Sequence, residues 1–314
     1  MHQLRIALAQ VNATVGDLDG NAAAIEQWTA RAARAGAAVV VFPEMMLTGY
    51  PVEDLALRAS FVSASVAELR AVAARLAGAG LGGVAVVTGY LDRQAGLQAR
   101  VGLPAGAPRD AAAVLFGGEV VVTSAKHHLP NYGVFDEYRY FVPGDVLPVV
   151  RLTTGPGEQA DVAVAICEDL WQEGGPVSVA RQAGASVLVV PNASPYEEGK
   201  SEARLALCQR RAAEAGCPLA YVNLIGGQDE LVFDGDSIIV GQDGAVLARG
   251  PQFAEALVLA DVDVAAAGQE PAGDVSTDAL DGTTMTIRRI ELAGRPVPQP
   301  AGTSADAELA GRIW

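Results

Sequence analysis

Histidine and cysteine are scarce in this chain of 314 residues, which has three of each. The cysteines Cys167, Cys208 and Cys217 form no metal-binding spacing, and their odd number does not suggest a disulfide framework. In the pair His127-His128, adjacent side chains on an extended chain point to opposite faces, so one metal ion is not expected to bind both. We therefore expect no metal site and a reduced, cytoplasmic protein.

Positive charge and long apolar runs are also lacking. The 22 basic residues against 37 acidic residues give a net charge of -15, which argues against nucleic acid and anionic membrane as partners. No segment approaches the roughly eighteen uncharged apolar residues of a membrane span. Residues 1–9 look like a strand and are too weakly basic for a signal peptide. We therefore expect neither a membrane protein nor a nucleic-acid-binding protein.

Strand-like and helix-like patterns alternate along the first 262 residues. Half of the residues are hydrophobic, which is enough for one large domain or two ordinary ones. Some strands are separated by helices and others form hairpins, so we predict an α/β domain in which parallel and antiparallel neighbours are mixed. The predicted helices cover residues 21–35, 60–78, 177–183 and 200–215. The predicted strands cover residues 4–11, 38–42, 84–88, 111–116, 119–123, 162–166, 186–190, 219–223, 231–240, 245–249 and 256–262.

The composition changes near Val264 to alanine, glycine, proline, serine and aspartate with isolated apolar residues. We interpret residues 264–314 as a partly ordered tail or an interdomain linker. The predicted division is therefore one domain over residues 1–265 and a tail over residues 266–314.

Three reactive side chains each follow a predicted buried strand. Glu44 comes after Pro43, Lys126 follows a hairpin strand, and Cys167 ends an apolar run directly before two acidic residues. Open α/β sheets place their ligands at the carboxyl ends of strands. Each side chain also has an ordinary interpretation, as a solvated loop acid, a surface lysine and a buried core cysteine respectively.

The three side chains form a coherent chemical set. A free thiol has a pKa of roughly 8.5 and is mostly protonated at neutral pH. Glu44 can act as its base if desolvation raises the pKa of the carboxyl group. Lys126, together with a backbone N–H after the nucleophile, can stabilise the negative charge that develops on the oxygen of an attacked amide. The set is therefore suited to amide hydrolysis.

The order Pro-Glu, Lys-x-His-Leu-Pro and Cys-Glu-Asp, each behind a hydrophobic strand, resembles the nitrilase superfamily of carbon-nitrogen hydrolases. More narrowly, longer runs resemble the amidase domain of glutamine-dependent NAD synthetases, and the resemblance covers residues 4 to about 265. These runs are Phe42-Pro-Glu44-Met-Met-Leu-Thr-Gly-Tyr50-Pro-Val-Glu-Asp-Leu, Lys126-His-His-Leu-Pro-Asn-Tyr132-Gly-Val-Phe135-Asp-Glu-Tyr-Arg-Tyr-Phe-Val-Pro-Gly144, Ile-Cys167-Glu168-Asp-Leu-Trp171 and Val-Asn223-Leu-Ile-Gly-Gly-Gln-Asp-Glu-Leu-Val-Phe-Asp-Gly235.

The resemblance implies a nitrilase-type α/β/β/α four-layer sandwich with two mixed β-sheets and a domain that needs no cofactor. It implies that Glu44 is the base, Lys126 the charge stabiliser and Cys167 the nucleophile. The nucleophile would form a thioester with glutamine as ammonia leaves, and water would then release glutamate. The turn 191–195 can aim a serine, and Lys200 or Glu168 could meet one end of an amino acid zwitterion. The positions that match the glutamine pocket of the family are Tyr132, Phe135, Glu168, Ser194 and Lys200.

Two departures from the family pattern matter. Family members usually carry an aromatic residue shortly before the lysine, where this chain has Ser124-Ala125. The family also continues into an ATP-using synthetase domain with a Ser-Gly-Gly-x-Asp-Ser loop, a motif that does not occur here, and residues 307–314 look like the start of the connecting helix. We expect either a truncated chain or a stand-alone ammonia donor, with ATP and Mg²⁺ needed only by a synthetase domain elsewhere.

The resemblance implies a partner synthetase domain that receives ammonia to amidate nicotinate adenine dinucleotide, and it implies a homo-oligomer. Two alternatives stay open at this point. One is a stand-alone amidase or carbamoylase that acts on another small amide. The other is a non-enzymatic, acidic interaction module in which Cys167 only fills core.

Overall fold

Two mixed β-sheets lie face to face between layers of helices in the computed structural model, which describes residues 1–94, 96 and 106–292. This arrangement confirms the predicted four-layer α/β/β/α sandwich. Among the described residues, the first sheet has six strands, which in spatial order are β14 (Ala256–Val264), β1 (His2–Gln10), β2 (Val39–Val41), β3 (Ala85–Arg93), β4 (Pro108–Phe116) and β5 (Glu119–Ala125). Strands β1, β2 and β3 run parallel, and the other neighbours are antiparallel.

Within the same described ranges, the second sheet has eight strands. In spatial order the eight are β13 (Val246–Arg249), β12 (Ile238–Val240), β9 (Leu219–Asn223), β8 (Val187–Asn192), β7 (Glu158–Val164), β6 (Val146–Gly155), β16 (Thr284–Glu291) and β15 (Gly273–Asp278). Strands β7, β8 and β9 run parallel, as do β6 and β16. A separate small hairpin pairs β10 (Ile225–Gln228) with β11 (Leu231–Asp234).

Helices α1 (Leu18–Arg34) and α2 (Ala59–Gly78) cover the first sheet, and α3 (Glu168–Trp171), α4 (Gly175–Ala180) and α5 (Lys200–Ala215) cover the second. Short 3₁₀ turns span Glu53–Leu57 and Glu137–Arg139. In the described part of the chain, no helix combines the length and the apolar character that crossing a bilayer requires.

The alternation of side chains along each strand produces the layers. In β7, Val162 and Val164 pack between the two sheets, whereas Ala163 and Ala165 beyond it pack against the helices of the second sheet. In β1, Leu4, Ile6 and Leu8 enter the same inter-sheet layer from the opposite side. Since successive side chains of a strand point to opposite faces, strands that are apolar throughout can fill two core layers at once.

Three parts of the fold differ from the sequence prediction. The predicted strand 231–240 is two strands, β11 and β12, which belong to different sheets. Strand β6 was not predicted at all. Strands β15 and β16 lie where a partly ordered tail was expected, so that expectation is wrong for these residues. In β16, the buried Met285 and Ile287 alternate with more exposed polar residues. The strand pairs in parallel with β6, which is far away in the sequence. The segment 293–314, with the predicted connecting helix, lies outside the described residues.

Candidate active site

Glu44, Lys126 and Cys167 follow strands β2, β5 and β7, and the structure brings the first two into direct contact. The Nζ atom of Lys126 donates to Oε1 of Glu44 over 2.6 Å. Each of these two side chains is about 1% exposed, so neither is a solvated loop acid or a surface lysine. Cys167 is 6% exposed and lines a cavity beside them.

The Lys126 ammonium is surrounded by three buried carboxyl groups. It donates to Glu137 over 2.8 Å and to Asp110 over 3.3 Å, in addition to its bond to Glu44. The hydroxyl of Tyr50 donates to the same Glu137 oxygen over 2.9 Å. Carboxylates at this spacing could hold a metal ion, but the ammonium group already takes the place of a cation here.

The charges of this cluster are set by burial and by mutual proximity. Burial disfavours the ammonium form, but Glu137, Glu44 and Asp110 outweigh it and raise the pKa of Lys126 well above its usual range. Burial and the Glu44 charge raise the pKa of Asp110 well above its usual range. The lysine is therefore a permanent cation beside the nucleophile.

The protonation states of the base and of the nucleophile are suited to proton transfer. Burial acts to raise the pKa of Glu44, but the Lys126 charge and contacts with Asp110 and Cys167 lower it below its usual value. The condition set from the sequence, a Glu44 pKa raised by desolvation, is therefore not met, because the adjacent ammonium outweighs desolvation. Burial and the Glu44 charge raise the pKa of the Cys167 thiol well above its usual range. The resting pair is thus a thiol beside a carboxylate, which can accept the proton when the sulfur attacks.

The backbone at Cys167 is strained. Its φ of 43° and ψ of -100° are unusual for a residue other than glycine, and the amide of Cys167 donates to the carbonyl of Pro191 over 3.0 Å. Asp169 holds this turn against the lysine segment, because it accepts from the amides of Ile166, His127 and His128 over 3.1, 3.0 and 2.8 Å. A single buried carboxylate therefore connects the predicted nucleophile, Cys167, to the segment of the predicted charge stabiliser, Lys126.

Gly89 in β3 allows the Glu44 segment to approach the sheet. A Cβ atom at this position would overlap the backbone nitrogen of Met45 and lie 2.6 Å from the Cα and carbonyl carbon of Glu44. Because these are backbone atoms, they cannot rotate away from the added methyl group.

We expect Gly89→Ala to shift Glu44 and to lower kcat for amide hydrolysis by roughly a hundredfold, since a misplacement of about 1 Å can have that effect. Steady-state kinetics on the folded variant measures it. Gly83→Ala is the matched control, because a Cβ atom there meets no atom within 4 Å. Equal activity of the two variants would contradict the role given to Gly89.

The cavity in front of Cys167 has a volume of about 730 Å³ and is lined by all five residues predicted to bind substrate. The Tyr132 hydroxyl donates to both carboxylate oxygens of Glu168, over 3.0 and 2.9 Å. Asn223 fixes the turn that carries Ser194, because its Oδ1 atom accepts from the Ser194 amide over 2.8 Å. Lys200 Nζ lies 5.7 Å from the ring centroid of Trp171, and burial lowers its pKa. The five residues predicted to bind substrate are Tyr132, Phe135, Glu168, Ser194 and Lys200.

Several residues of the site were missed by the sequence analysis. Glu137 lies within the motif that begins at Lys126, and only its acidic side chain indicated a role in the site. Asp110 lies near the start of β4, and nothing in the local sequence indicated a role for it.

Ser124 lies in the short stretch before Lys126 where family members usually carry an aromatic residue. Its hydroxyl donates to the carbonyl of Val146 over 2.7 Å. Ala125 packs closely against Gly144, where an added Cβ atom would lie 2.9 Å from the Cβ atom of Ala125.

The geometry of the histidine pair also differs from expectation. The rings of His127 and His128 lie in contact, with centroids 4.6 Å apart, and both approach the carboxylate of Asp281. The expectation that these side chains point to opposite faces is wrong, because the residues lie in a bend after β5 and not in a strand.

The pH dependence of stability offers a test of the buried cluster. Burial raises the pKa of Glu137 from 4.5 to about 7, although Lys126 opposes the rise. Between these values the folded protein holds a proton that the unfolded chain has lost, so the free energy of unfolding falls as pH rises from 4.5 to 7. We expect the contribution of Glu137 to be about 3 kcal/mol. Urea denaturation at pH 5 and pH 8 should show a fall that is smaller in Glu137→Gln than in the parent by roughly that amount, because other buried carboxyl groups with a raised pKa, such as Asp110, remain in the variant. Glu119→Gln, on the surface, should behave as the parent, and parallel profiles for all three would refute the assignment.

Comparison with known proteins places the chain among amide hydrolases. The family model described as carbon-nitrogen hydrolase matches residues 5–271. The glutamine-dependent NAD(+) synthetase of Rhodobacter capsulatus is 39% identical over 288 residues, which cover 88% of this chain and 48% of that protein. The chain thus spans about half the length of the curated relatives it matches.

Solved structures agree with the sequence comparison. The glutamine-dependent NAD+ synthetase of Acinetobacter baumannii, in complex with adenosine diphosphate, aligns with a TM-score of 0.71 and 31% identity, over 86% of this chain and 48% of that one. A mutant amidase from Nesterenkonia sp. AN1 aligns with a TM-score of 0.67 and 28% identity, over 83% of this chain and 90% of that one. That structure shows covalent addition of the acetamide moiety of fluoroacetamide at the active-site cysteine.

Proposed function

The chain belongs to the carbon-nitrogen hydrolase family and is an amide-hydrolysing enzyme, and from this premise we propose that it hydrolyses the side-chain amide of glutamine. The observation that carries the proposal is the cavity in front of Cys167, which presents a buried carboxylate, Glu168, and an ammonium group, Lys200. An amino acid zwitterion carries one charge of each sign, so these two side chains suit its ammonium and carboxylate groups respectively.

In the proposed mechanism, Cys167 attacks the side-chain carbonyl of glutamine as its proton moves to Glu44. The Lys126 ammonium and the backbone N–H of Glu168 stabilise the resulting oxyanion. The C–N bond then breaks, Glu44 returns the proton to the leaving nitrogen, and ammonia departs from a glutamyl thioester. Water, deprotonated by Glu44, attacks the thioester and releases glutamate and the thiol. The covalent adduct at the active-site cysteine of the Nesterenkonia amidase supports the choice of Cys167 as the nucleophile.

The names of the relatives extend the proposal to the fate of ammonia. Because several curated relatives are glutamine-dependent NAD(+) synthetases, we propose that the ammonia passes to a synthetase domain that amidates nicotinate adenine dinucleotide. The hydrolase domain itself needs no cofactor in this proposal, and ATP and Mg²⁺ serve only the synthetase step. The cytoplasmic location and the homo-oligomer stay predictions.

A stand-alone amidase or carbamoylase is the second candidate function. The amidase from Nesterenkonia favours it, because that protein is named as an amidase and has the same fold, with a TM-score of 0.67 and 28% identity. The two functions differ in what the cavity must recognise. A simple amide has neither the ammonium nor the carboxylate group of glutamine.

The substitution Glu168→Gln separates the two functions. Because a hydrogen bond to a charged group contributes about 1.5–3 kcal/mol, we expect kcat/KM for glutamine to fall roughly ten- to a hundredfold while propionamide hydrolysis is unchanged. Glu173→Gln is the control, since Glu173 is exposed and does not line the cavity. An equal loss with both substrates, or a preference of the parent enzyme for propionamide, would overturn the assignment of glutamine.

A further inference from the structure

Three side chains that the proposed reaction does not use converge next to the catalytic lysine. The Nε2 atoms of His127 and His128 each lie 3.5 Å from Oδ2 of Asp281, and none of the three residues lines the cavity in front of Cys167. We propose that they bind one divalent transition metal ion of the Zn²⁺ type, with His127 Nε2, His128 Nε2 and Asp281 Oδ2 as ligands.

The tautomer of His127 supports this assignment. Its Nδ1 atom lies 2.6 Å from the carbonyl oxygen of Gly144. A carbonyl oxygen can only accept, so Nδ1 carries the hydrogen and the neutral ring presents an unprotonated Nε2 to Asp281. Metal-bound histidines commonly have this arrangement, in which the second ring nitrogen donates to a carbonyl or a carboxylate.

His128 presents the same ring nitrogen to the carboxylate. Its Nε2 atom faces Asp281, while its buried Nδ1 atom lies 3.6 Å from Oδ1 of Asp169 and has no hydrogen-bond partner among the described groups. Two ring nitrogens therefore face one carboxylate oxygen. Protonating both rings would place two imidazolium groups with centroids 4.6 Å apart beside a single carboxylate. One divalent cation satisfies all three groups without that repulsion.

The dimensions suit tetrahedral coordination. Bonds of about 2.0–2.1 Å to zinc place neighbouring ligand atoms of a tetrahedron about 3.3 Å apart. The two measured nitrogen-to-oxygen distances are 3.5 Å, and all three ligand atoms lie within 4.8 Å of one another. Two imidazoles favour zinc and its neighbours over Mg²⁺ and Ca²⁺, which prefer oxygen ligands.

The carboxylate is held in place before any ion binds. Asp281 Oδ1 accepts from the amide and hydroxyl of Thr283 over 3.0 and 2.6 Å, and Oδ2 accepts from the amide of Gly175 over 3.1 Å. Gly175 has a φ of +53°, and a Cβ atom there would lie 2.6 Å from Cε1 of His128 and 2.8 Å from Cδ2 of His127. The backbone of α4 therefore supports both rings.

The site is also accessible. The side chains of His127, His128 and Asp281 are 13%, 12% and 23% exposed, which leaves room for an ion to enter and for water as a fourth ligand. Because Asp281 lies between strands β15 and β16, a bound ion would connect this hairpin to the segment that carries Lys126. The expected effect of the metal is therefore to stabilise the hairpin against the active-site segment.

Titration with Co²⁺, followed by visible absorption, tests the site in the full chain. Cys167→Ser serves as the parent so that the catalytic thiol does not compete for the ion. His127→Asn keeps a donor for the Gly144 carbonyl. Asp281→Asn keeps an oxygen that accepts from Thr283, while its amide nitrogen replaces the Oδ2 ligand and gives up the bond from the Gly175 amide. His2→Asn is the matched control, since it alters the remaining histidine of the sequence.

We expect the parent and the His2→Asn variant to bind one equivalent of Co²⁺ with the spectrum of a tetrahedral complex, and Zn²⁺ to displace it. Each ligand substitution should weaken binding by at least about tenfold. Zn²⁺ should also raise the Tm of the parent but not of the variants. Absence of stoichiometric binding, or equal affinity in the parent and in Asp281→Asn, would overturn the proposal. If His127→Asn does not fold, Asp281→Asn decides the question alone.

Discussion

Replacing Cys167 by alanine is expected to lower kcat for amide hydrolysis by about 10⁴-fold or more, because in the proposed mechanism Cys167 is the group that forms the thioester. The side chain lines the cavity, so its removal leaves no new buried void, and the fold should persist. Ammonia release from glutamine measures the loss.

Cys208→Ala is the control for this substitution. Cys208 is fully buried in α5, where alanine is an excellent helix former, and it packs in the apolar layer between that helix and the second sheet. This variant should keep the parent kcat with a modest loss of stability. Comparable activity of the Cys167→Ala and Cys208→Ala variants would show that Cys167 only fills core, as the interaction-module alternative requires.

Replacing Lys126 by methionine is expected to affect both catalysis and stability. Loss of one oxyanion donor lowers kcat by about 10²–10³-fold. The substitution also leaves Glu44, Asp110 and Glu137 buried without their cation, and breaking a buried ion pair in this way costs about 3–5 kcal/mol. Steady-state kinetics and urea denaturation at neutral pH measure the two effects.

The chain offers a matched control because it contains only one other lysine, Lys200. Lys200 is partly buried and lines the cavity, where its Nζ atom donates to the Pro195 carbonyl over 3.1 Å and faces the Trp171 ring. Lys200→Met should therefore raise KM for glutamine with little change in the free energy of unfolding. If Lys126→Met were as stable as Lys200→Met and kept the parent kcat, the buried cluster would have neither of the roles described above.

Much of the fold follows from local patterns. The helix predicted over residues 200–215 matches α5, because the spacing of apolar residues and the closing Gly216, with a φ of 72°, are both local signals. The hairpin around Gly117-Gly118 is confirmed for the same reason. Strand β16 was missed because its apolar residues are few and alternate with polar ones, and its pairing with the distant strand β6 cannot be seen in the sequence.

The site was predictable in part. A strand end marks where a side chain emerges, and this signal was enough to select Glu44, Lys126 and Cys167. It does not reveal which other groups approach from distant segments. Asp110 and Glu137 were therefore missed, and so was the effect of the adjacent ammonium, which lowers the pKa of Glu44. The pKa of a buried group depends on its distance to charged groups from other segments, and neither composition nor sequence spacing gives that distance.

The central claim is that a carboxylate, an ammonium group and a thiol act together on one acyl carbon. Its most direct test is rapid acid quenching during the first turnover of glutamine, followed by mass spectrometry of the peptide that contains Cys167. The proposed mechanism predicts a glutamyl group on Cys167 that forms no more slowly than ammonia is released, and it predicts no adduct on Cys208 or Cys217. Release of ammonia at the parent rate with Cys167 unmodified throughout that turnover would contradict it.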